Sequence, residues 1–356
     1  MSLEQLGWNE YWEDLFQPHR EEGLLPGRVA AEFTHLYRVV LDSGELLAEV
    51  PGSFRHRAGE KRAYPAVGDW VAVEIGADPE RGQIQVVLPR KSKFARKQPG
   101  TAIDEQVVAA NVDSALLMSG LDQDLNPRRI ERYLMAAREG GVEPVIVLNK
   151  SDLWREMREL EPCLREIEAV APGIPLQILS ALEGEGVEGL APYLQPGRTL
   201  VLLGSSGVGK STLTNRLLGR AVQPTAEVRE KDSRGRHTTT HRELFVLPEG
   251  GLLIDTPGLR EIHLWEDTGS LEALYSDVLS LADQCRFDDC RHLAEPGCAI
   301  REAVERGELS PLRYQSYLKL HGELQEVGEK QQQLNWQRKR RGRPQEPRRF
   351  HRGRPR

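Results

Sequence analysis

Between residues 24 and 88 the apolar positions fall in short runs broken by turn residues: VAAEF at 29–33, LYRVVL at 36–41, ELLAEV at 45–50, AVGDWVAVEI at 66–75 and QIQVVL at 83–88. Runs of this length with partial alternation predict strands, and Asp42-Ser43-Gly44 and Asp78-Pro79-Glu80-Arg81-Gly82 predict turns between them. Five such strands close a small barrel. An OB-fold meets the count, and an SH3-like barrel has the same appearance in sequence. Beyond residue 99 the pattern changes. SALLMSG, PVIVLNK, PLQILSA, RTLVLLG and GLLIDTP are apolar runs typical of strands covered on both faces, and Pro127 to Arg138 places Ile130, Tyr133, Leu134 and Ala137 on one helical face. This predicts an α/β domain with a mostly parallel sheet and ligands at the carboxyl ends of its strands. Ahead of the barrel, Trp8, Tyr11, Trp12, Leu15 and Phe16 fall at helical spacing and are expected to pack onto the protein. Ala299 to Gln337 also reads as helical and is expected to pack against the sheet of the α/β domain.

A chain of 356 residues exceeds the usual size of one core and implies two or three domains. No apolar run approaches a bilayer span, and Met1 to Arg20 carries charges where a signal peptide is apolar, so the expected address is the cytoplasm, with no membrane partner. The net charge of −6 conceals an asymmetry: residues 337–356 hold ten Lys/Arg against Glu346, which is +9 and leaves −15 for residues 1–336. That tail has too little apolar surface to fold alone and is expected to be disordered and to meet polyanions. Arg90-Lys91-Ser92-Lys93 through Arg96-Lys97 is a second basic stretch, read either as a solvated linker or as an RNA contact, and Pro99-Gly100 after it reads as a hinge.

The chemistry sits on the ends of the predicted strands, in an unusual order. Gly204, Ser205, Ser206, Gly207, Val208, Gly209, Lys210, Ser211 and Thr212 fit G-x-x-x-x-G-K-[ST] after the strand at 199–203. Such a turn lets backbone N–H groups and a helix N-terminus approach phosphates, with Lys210 reaching the β- and γ-phosphates and Ser211 ligating Mg²⁺. Asp255-Thr256-Pro257-Gly258 ends the strand at 252–254; Asp255 is placed for Mg²⁺, either as a direct ligand or through a bound water, and Gly258 offers an amide to the γ-phosphate. Upstream of both lie Asn149-Lys150-Ser151-Asp152 and Ser180-Ala181. Alone, N-K-S-D is an ordinary strand-to-helix turn with a cap. Joined to the phosphate motifs it reads guanine: Asp152 accepts from N1–H and the exocyclic amine, Lys150 lays its stem across the base, Asn149 ties neighbouring loops, and the Ala181 N–H faces O6. These are the parts of a guanine-nucleotide site in rotated order, as a circularly permuted sheet requires.

Between Lys210 and Asp255, Arg234-Gly235-Arg236-His237-Thr238-Thr239-Thr240 is polar and aperiodic, as a nucleotide-sensing loop is. Thr239, with Thr238 as the alternative, is expected to complete the Mg²⁺ shell. Position 259 is Leu, where many GTPases carry a water-orienting glutamine, so intrinsic hydrolysis is expected to be slow; His237 is the candidate for the missing group. Downstream, Cys285, Cys290, His292 and Cys298 follow the spacing C-x4-C-x-H-x5-C, a complete tetrahedral set for one structural Zn²⁺. Three cysteines so crowded suit a metal in a reducing compartment better than disulfides, and Cys163 reads as buried packing.

The permuted motif order, the RHTTT segment, the preceding barrel and the following Cys/His cluster resemble the RsgA/YjeQ family of ribosome small-subunit-dependent GTPases over roughly residues 24–310. The resemblance implies an N-terminal OB domain, a central circularly permuted P-loop GTPase and a C-terminal, mainly helical zinc domain that together grip the small ribosomal subunit and its rRNA. It further implies hydrolysis of GTP to GDP, stimulated by the subunit, during late subunit maturation. The expected boundaries are an extension at 1–23, the RNA-binding barrel at 24–98, the GTPase at 99–265, the zinc domain at 266–336 and the basic tail at 337–356, in a protein acting as a monomer. Two rivals share parts of the pattern: a P-loop phosphotransferase, and a zinc-containing RNA-binding protein that holds GTP as a structural ligand.

Overall fold

The computed structural model describes residues 2–325 apart from 35, 55–62, 77, 98–104, 123–124, 155–159, 221–241, 256–270, 273 and 323–324. His237, Thr238, Thr239, Gly258, Leu259, the Pro99-Gly100 hinge and the basic tail therefore lie outside the described residues.

Strands β1 (Leu25–Glu32), β2 (Tyr37–Leu41), β3 (Gly44–Glu49), β4 (Trp70–Ile75) and β5 (Arg81–Val87) follow one another round a closed barrel in the order β1-β2-β3-β5-β4-β1. Closure depends on the length of β1. Its first half pairs with β4 and its second half with β2, and a register shift between Val29 and Ala31 bends it between the two. β3 and β5 run parallel while the other barrel pairs are antiparallel. Of the two barrels compatible with the sequence, this connection is the OB arrangement. Val29, Val39, Leu41, Leu46, Val71, Val73 and Ile84 fill the interior. β4 starts at Trp70, later than the apolar run suggests, because the preceding turn holds Gly68 at φ 94°, where an added Cβ would meet the Ala110 carbonyl oxygen at 2.1 Å.

Helix α1 (Glu10–Glu21) lies on this barrel and buries Trp12 and Phe16, each side chain contributing about 1.5–3 kcal/mol by leaving water. Trp8 precedes the helix and sets its ring edge-on to Trp70, with centroids 4.8 Å apart. The aromatic stripe thus packs onto the protein, except for Tyr11, which is exposed and carries the Lys91 ammonium 3.9 Å from its ring centroid.

The basic stretch at 90–97 is not a bare linker. The Arg90 guanidinium is locked onto buried Asp69 by two hydrogen bonds, 2.7 Å from Nε and 2.6 Å from Nη2, and Lys93–Lys97 is strand β6, paired antiparallel with β7 (Glu105–Ala110). Burial raises the Asp69 carboxyl, and the Arg90 hydrogen bond and charge oppose that rise.

The second half of the sheet holds β8 (Ser114–Gly120), β9 (Glu143–Asn149), β10 (Leu176–Ile178), β11 (Thr199–Gly204), β12 (Arg242–Val246) and β13 (Leu252–Asp255), in the order β10-β9-β8-β11-β13-β12. All pairs are parallel except β12–β13. Every residue of β8 and β11 is buried, as strands covered on both faces are. Helix α2 (Pro127–Glu139) starts where Asn126 Oδ1 accepts the N–H groups of Arg128 and Arg129, with Pro127 at its first position. Helix α3 (Glu161–Val170) shares the α2 face of the sheet, and α4 (Lys210–Leu218) covers the opposite face, where Leu213 and Leu218 pack on Leu116, Met118, Val145 and Leu202. Cys163, read as core, is partly exposed on α3.

β12 also pairs with β1 through Ala31↔Glu243 and Glu32↔Arg242, so the barrel and the parallel sheet form one eleven-stranded sheet. Arg28 of β1, 2% exposed, reinforces the junction by donating to the carbonyls of Gly68, Leu6 and Asn111 and to Thr199 Oγ1 at the start of β11. Burial brings its guanidinium down to about 10, with Asp113 and Asp69 opposing, so it stays cationic at neutral pH. Beyond the sheet come α5 (Ser276–Ala282), α6 (Ala299–Glu305) and a helical stretch at 311–322. They attach to α2 and α3 rather than to the strands: Tyr275 Oη donates to buried Glu131, and Arg313 binds Asp277 at 2.7 Å and donates to the carbonyls of Ala169 and Val170. Among the described residues no helix is long and apolar enough to cross a membrane.

Candidate functional site

The carboxyl ends of the parallel strands deliver the motifs to one edge of the sheet. β9 ends at Asn149, β10 leads to Ser180, β11 ends at Gly204 and β13 at Asp255. The base motifs precede the phosphate loop in the chain, but the spatial order β10-β9-β8-β11-β13 seats them beside it.

Asn149, 2% exposed, joins the loops directly. Its Nδ2 donates to the Val208 carbonyl in the glycine-rich turn at 2.7 Å, and its Oδ1 accepts the Ala181 N–H at 2.9 Å. This approach is why position 209 must be glycine: φ is 101°, and a Cβ there would sit 2.2 Å from Asn149 Nδ2. The Ala181 N–H, expected to face guanine O6, is thus engaged within the loop. Asp152 is exposed, and its Oδ1 accepts the Ser180 hydroxyl at 2.5 Å. Lys150 adopts the left-handed conformation at φ 69°, with Nζ 2.6 Å from Asp122 Oδ2.

Two residues here were missed in the sequence. Asp122, just beyond the end of β8, holds the Lys150 ammonium, and its only signal is an acidic residue at a strand end. Arg216, on α4, donates from Nε to the Ala181 carbonyl at 2.7 Å and from Nη2 to the Leu182 carbonyl, pinning the base loop to the helix that starts at Lys210. Nothing in the α4 pattern marks it.

In the phosphate loop, Lys210 Nζ donates to the carbonyls of Gly204 and Ser205 at 2.7 and 2.6 Å, which keeps the ammonium inside the curve of the turn. Ser211 and Thr212 follow in the first turn of α4, and β13 runs parallel beside β11, so Asp255 ends next to the strand that feeds Ser211. A hard cation suits this donor set of hydroxyl and carboxylate oxygens. A separate cavity of about 480 Å³, lined by Trp8, Trp70, Arg28, Lys91 and Thr199, opens at the opposite ends of these strands and takes no part in the nucleotide arrangement.

Cys285, Cys290, His292 and Cys298 converge with all four candidate ligand atoms within 4.8 Å of one another. Bonds of about 2.3 Å to sulfur and about 2.0–2.1 Å to nitrogen set tetrahedral ligand atoms roughly 3.5–3.8 Å apart. The Cys285 and Cys298 sulfurs each lie 3.6 Å from His292 Nδ1 and 4.0 Å from each other, so the cluster has the size of a four-ligand metal site. Burial lowers the His292 imidazole, keeping it in its neutral, ligating form. Burial also pushes the Cys298 thiol up to about 11, so its thiolate needs a cation. The loop is shaped by Glu295, whose carboxylate accepts the N–H groups of Arg291, Leu293 and Ala294; hydrogen bonds from these and from its own backbone hold it down at about 2. Tyr314 Oη donates to the His292 carbonyl.

Comparison with known proteins agrees with this geometry. The family profile described as RsgA GTPase matches residues 87–265. A small ribosomal subunit biogenesis GTPase RsgA of Opitutus terrae is 48% identical over 332 residues, covering 91% of this chain and 90% of that protein. Its namesake in Syntrophotalea carbinolica is 45% identical over 337 residues, with 91% and 90% covered. Among solved structures, YjeQ from Thermotoga maritima superposes with a TM-score of 0.61 at 31% identity, covering 85% of this chain and 98% of that one. YloQ, a circularly permuted GTPase, gives 0.59 at 25% identity, with 86% and 96% covered. By sequence, by fold and by the permuted order of its nucleotide loops, the chain belongs to the RsgA GTPase family.

Proposed function

We propose that this protein is a GTP hydrolase that docks on the small ribosomal subunit during its late maturation and hydrolyses GTP to GDP and phosphate when the subunit stimulates it. The observation that carries the reading is Asn149, which binds the phosphate loop through Val208 and the base loop through Ala181 with a single side chain. That contact holds the two loops side by side, which supports their sharing one nucleotide.

In this reading Asp152 takes the guanine N1–H and amine, with Ser180 fixing its carboxylate. Lys150 covers the base with its stem while Asp122 restrains its ammonium. Residues 204–212 enclose the phosphates, and Lys210 turns from the carbonyls of Gly204 and Ser205 to the phosphate oxygens. Ser211, Thr239 and Asp255 would hold Mg²⁺, which when bound neutralises charge on the phosphates. Gly258 supplies an amide, and His237 stands in for the glutamine that Leu259 replaces.

The Cys3His cluster takes one structural Zn²⁺. The division at 24–98, 99–265 and 266–336, flanked by 1–23 and 337–356, assigns RNA contact to the barrel and the basic tail, and the protein works as a cytoplasmic monomer. The relatives' names support the ribosomal partner, since those proteins are called small ribosomal subunit biogenesis GTPases.

The deciding measurement is GTP turnover with and without purified small subunits. Stimulated release of phosphate supports the proposal. GTP binding without turnover in either condition would leave a protein that keeps GTP as a structural ligand.

A further inference from the structure

The junction between barrel and parallel sheet is only two residue pairs long in the backbone, yet it carries an ion pair on each face. Directly opposed residues share a face and successive residues alternate. On one face Glu32 Oε2 meets Arg242 Nη1 at 2.8 Å. On the other, Arg38 of β2, Ala31 of β1 and Glu243 of β12 stand in one row across three strands. Arg38 Nη2 reaches over the small Ala31 side chain to bind Glu243 Oε1, and Ala31 is 2% exposed beneath the pair.

That row has a fourth member. Glu243 is directly opposed to Asp255 of β13, so two carboxylates stand side by side at the end of the strand that feeds the nucleotide site. Like charges in this relation repel, and an uncompensated Glu243 adds negative potential where phosphates must sit. The cation that neutralises Glu243 comes from the barrel. Arg38 is 29% exposed in its side chain and also lies 3.4 Å from Glu45, so a second acceptor is within its reach.

We propose that Arg38 and Glu243 are positioning residues for Mg²⁺-GTP: the barrel, through Arg38, masks the carboxylate opposite Asp255 and so sets nucleotide affinity from another domain. The inference rests on the reading of Asp255 as the Mg²⁺ carboxylate. Any ligand of the barrel that draws Arg38 away from Glu243 then loosens the nucleotide.

The test is equilibrium binding of the fluorescent analogue mant-GTP to the full-length protein, with and without Mg²⁺, for the unmodified chain and for Arg38→Gln, Glu243→Gln, the double variant and Asp255→Asn. One unmasked charge beside the site in a half-exposed setting predicts roughly fivefold weaker binding for Arg38→Gln. Glu243→Gln should bind at least as tightly as the unmodified protein, and the double variant should match Glu243→Gln, because removing the carboxylate removes the need for its mask. The loss in Arg38→Gln should shrink in 1 M salt. Thermal midpoints within a few degrees of the unmodified protein separate this effect from unfolding. If Arg38→Gln binds normally, or if the double variant stays as weak as Arg38→Gln, the masking role is overturned while the site reading stands. If Asp255→Asn leaves the Mg²⁺ dependence unchanged, the site reading and the inference built on it both fall.

Discussion

At the scale of single residues, the structure engages several of the candidate side chains in contacts between loops, and the proposed reading gives them a second task toward the nucleotide. Asp152 spends Oδ1 on the Ser180 hydroxyl and, being exposed, keeps Oδ2 for a base. Asp152→Asn is expected to weaken GTP by about 1.5–3 kcal/mol, the worth of a charge-assisted hydrogen bond, and to shift preference toward xanthosine triphosphate. Competition between the two nucleotides measures it, and unchanged guanine preference counts against the base pocket. Glu295 is a comparable case in the metal loop. Its carboxylate ties three amides around His292, so Glu295→Ala should lower metal affinity roughly tenfold to hundredfold, read by competition with a chromophoric chelator. The convergence of Cys285, Cys290, His292 and Cys298, and the placing of the nucleotide motifs at strand ends, were legible beforehand, because Cys, His, Asp and Lys at fixed spacings have few other uses. Asp122, Arg216 and Glu295 were not legible, since each acts through a contact made in space, on a partner that the spacing does not mark.

At the scale of elements, the apolar runs located β8, β9, β11 and α2 closely, because a strand or helix buried on one or both faces must show it in composition. They missed β6, whose Lys-Phe-Ala-Arg-Lys reads as a charged linker and becomes a strand by pairing with β7. They also missed β12, a short antiparallel strand whose Arg242 and Glu243 are paid for by ion pairs across the barrel junction. The C-terminal helices depend on packing of the same kind. His321 stacks on Tyr317 with centroids 5.5 Å apart, and burial depresses its imidazole. A histidine with a lowered folded pKa binds fewer protons folded than unfolded, so stability falls as pH drops through the unfolded value near 6.5 toward the folded one. The thermal midpoint should therefore decline between pH 7.5 and 5.5, and His321→Gln should flatten that decline; an identical slope in the variant removes His321 from the account.

At the scale of the whole molecule, one sheet runs from β10 to the barrel, so the RNA-binding candidate and the nucleotide loops are joined by continuous strand pairing. The charge asymmetry belongs to this scale too. Truncation before Arg338 removes ten cations and should weaken binding to rRNA and reduce the slope of log affinity against log salt by up to about 0.7–0.9 per lost phosphate contact. A slope that does not change takes the tail out of the interface. The sequence by itself determined which chemistries are present, because residue identity and spacing decide which groups can ligate a metal, cradle a phosphate or read guanine. It also determined that the motifs occur in rotated order. Only the tertiary structure decided that the rotation is harmless, since strand neighbours are chosen by pairing and burial rather than by succession, and Asn149 meets Val208 across 59 residues of chain. It likewise decided which cations remain available: Arg90 belongs to a basic stretch in the sequence and is locked onto Asp69, and buried Arg28 is taken up by carbonyls and Thr199, because a guanidinium withdrawn from water has to satisfy its donors wherever the fold places acceptors.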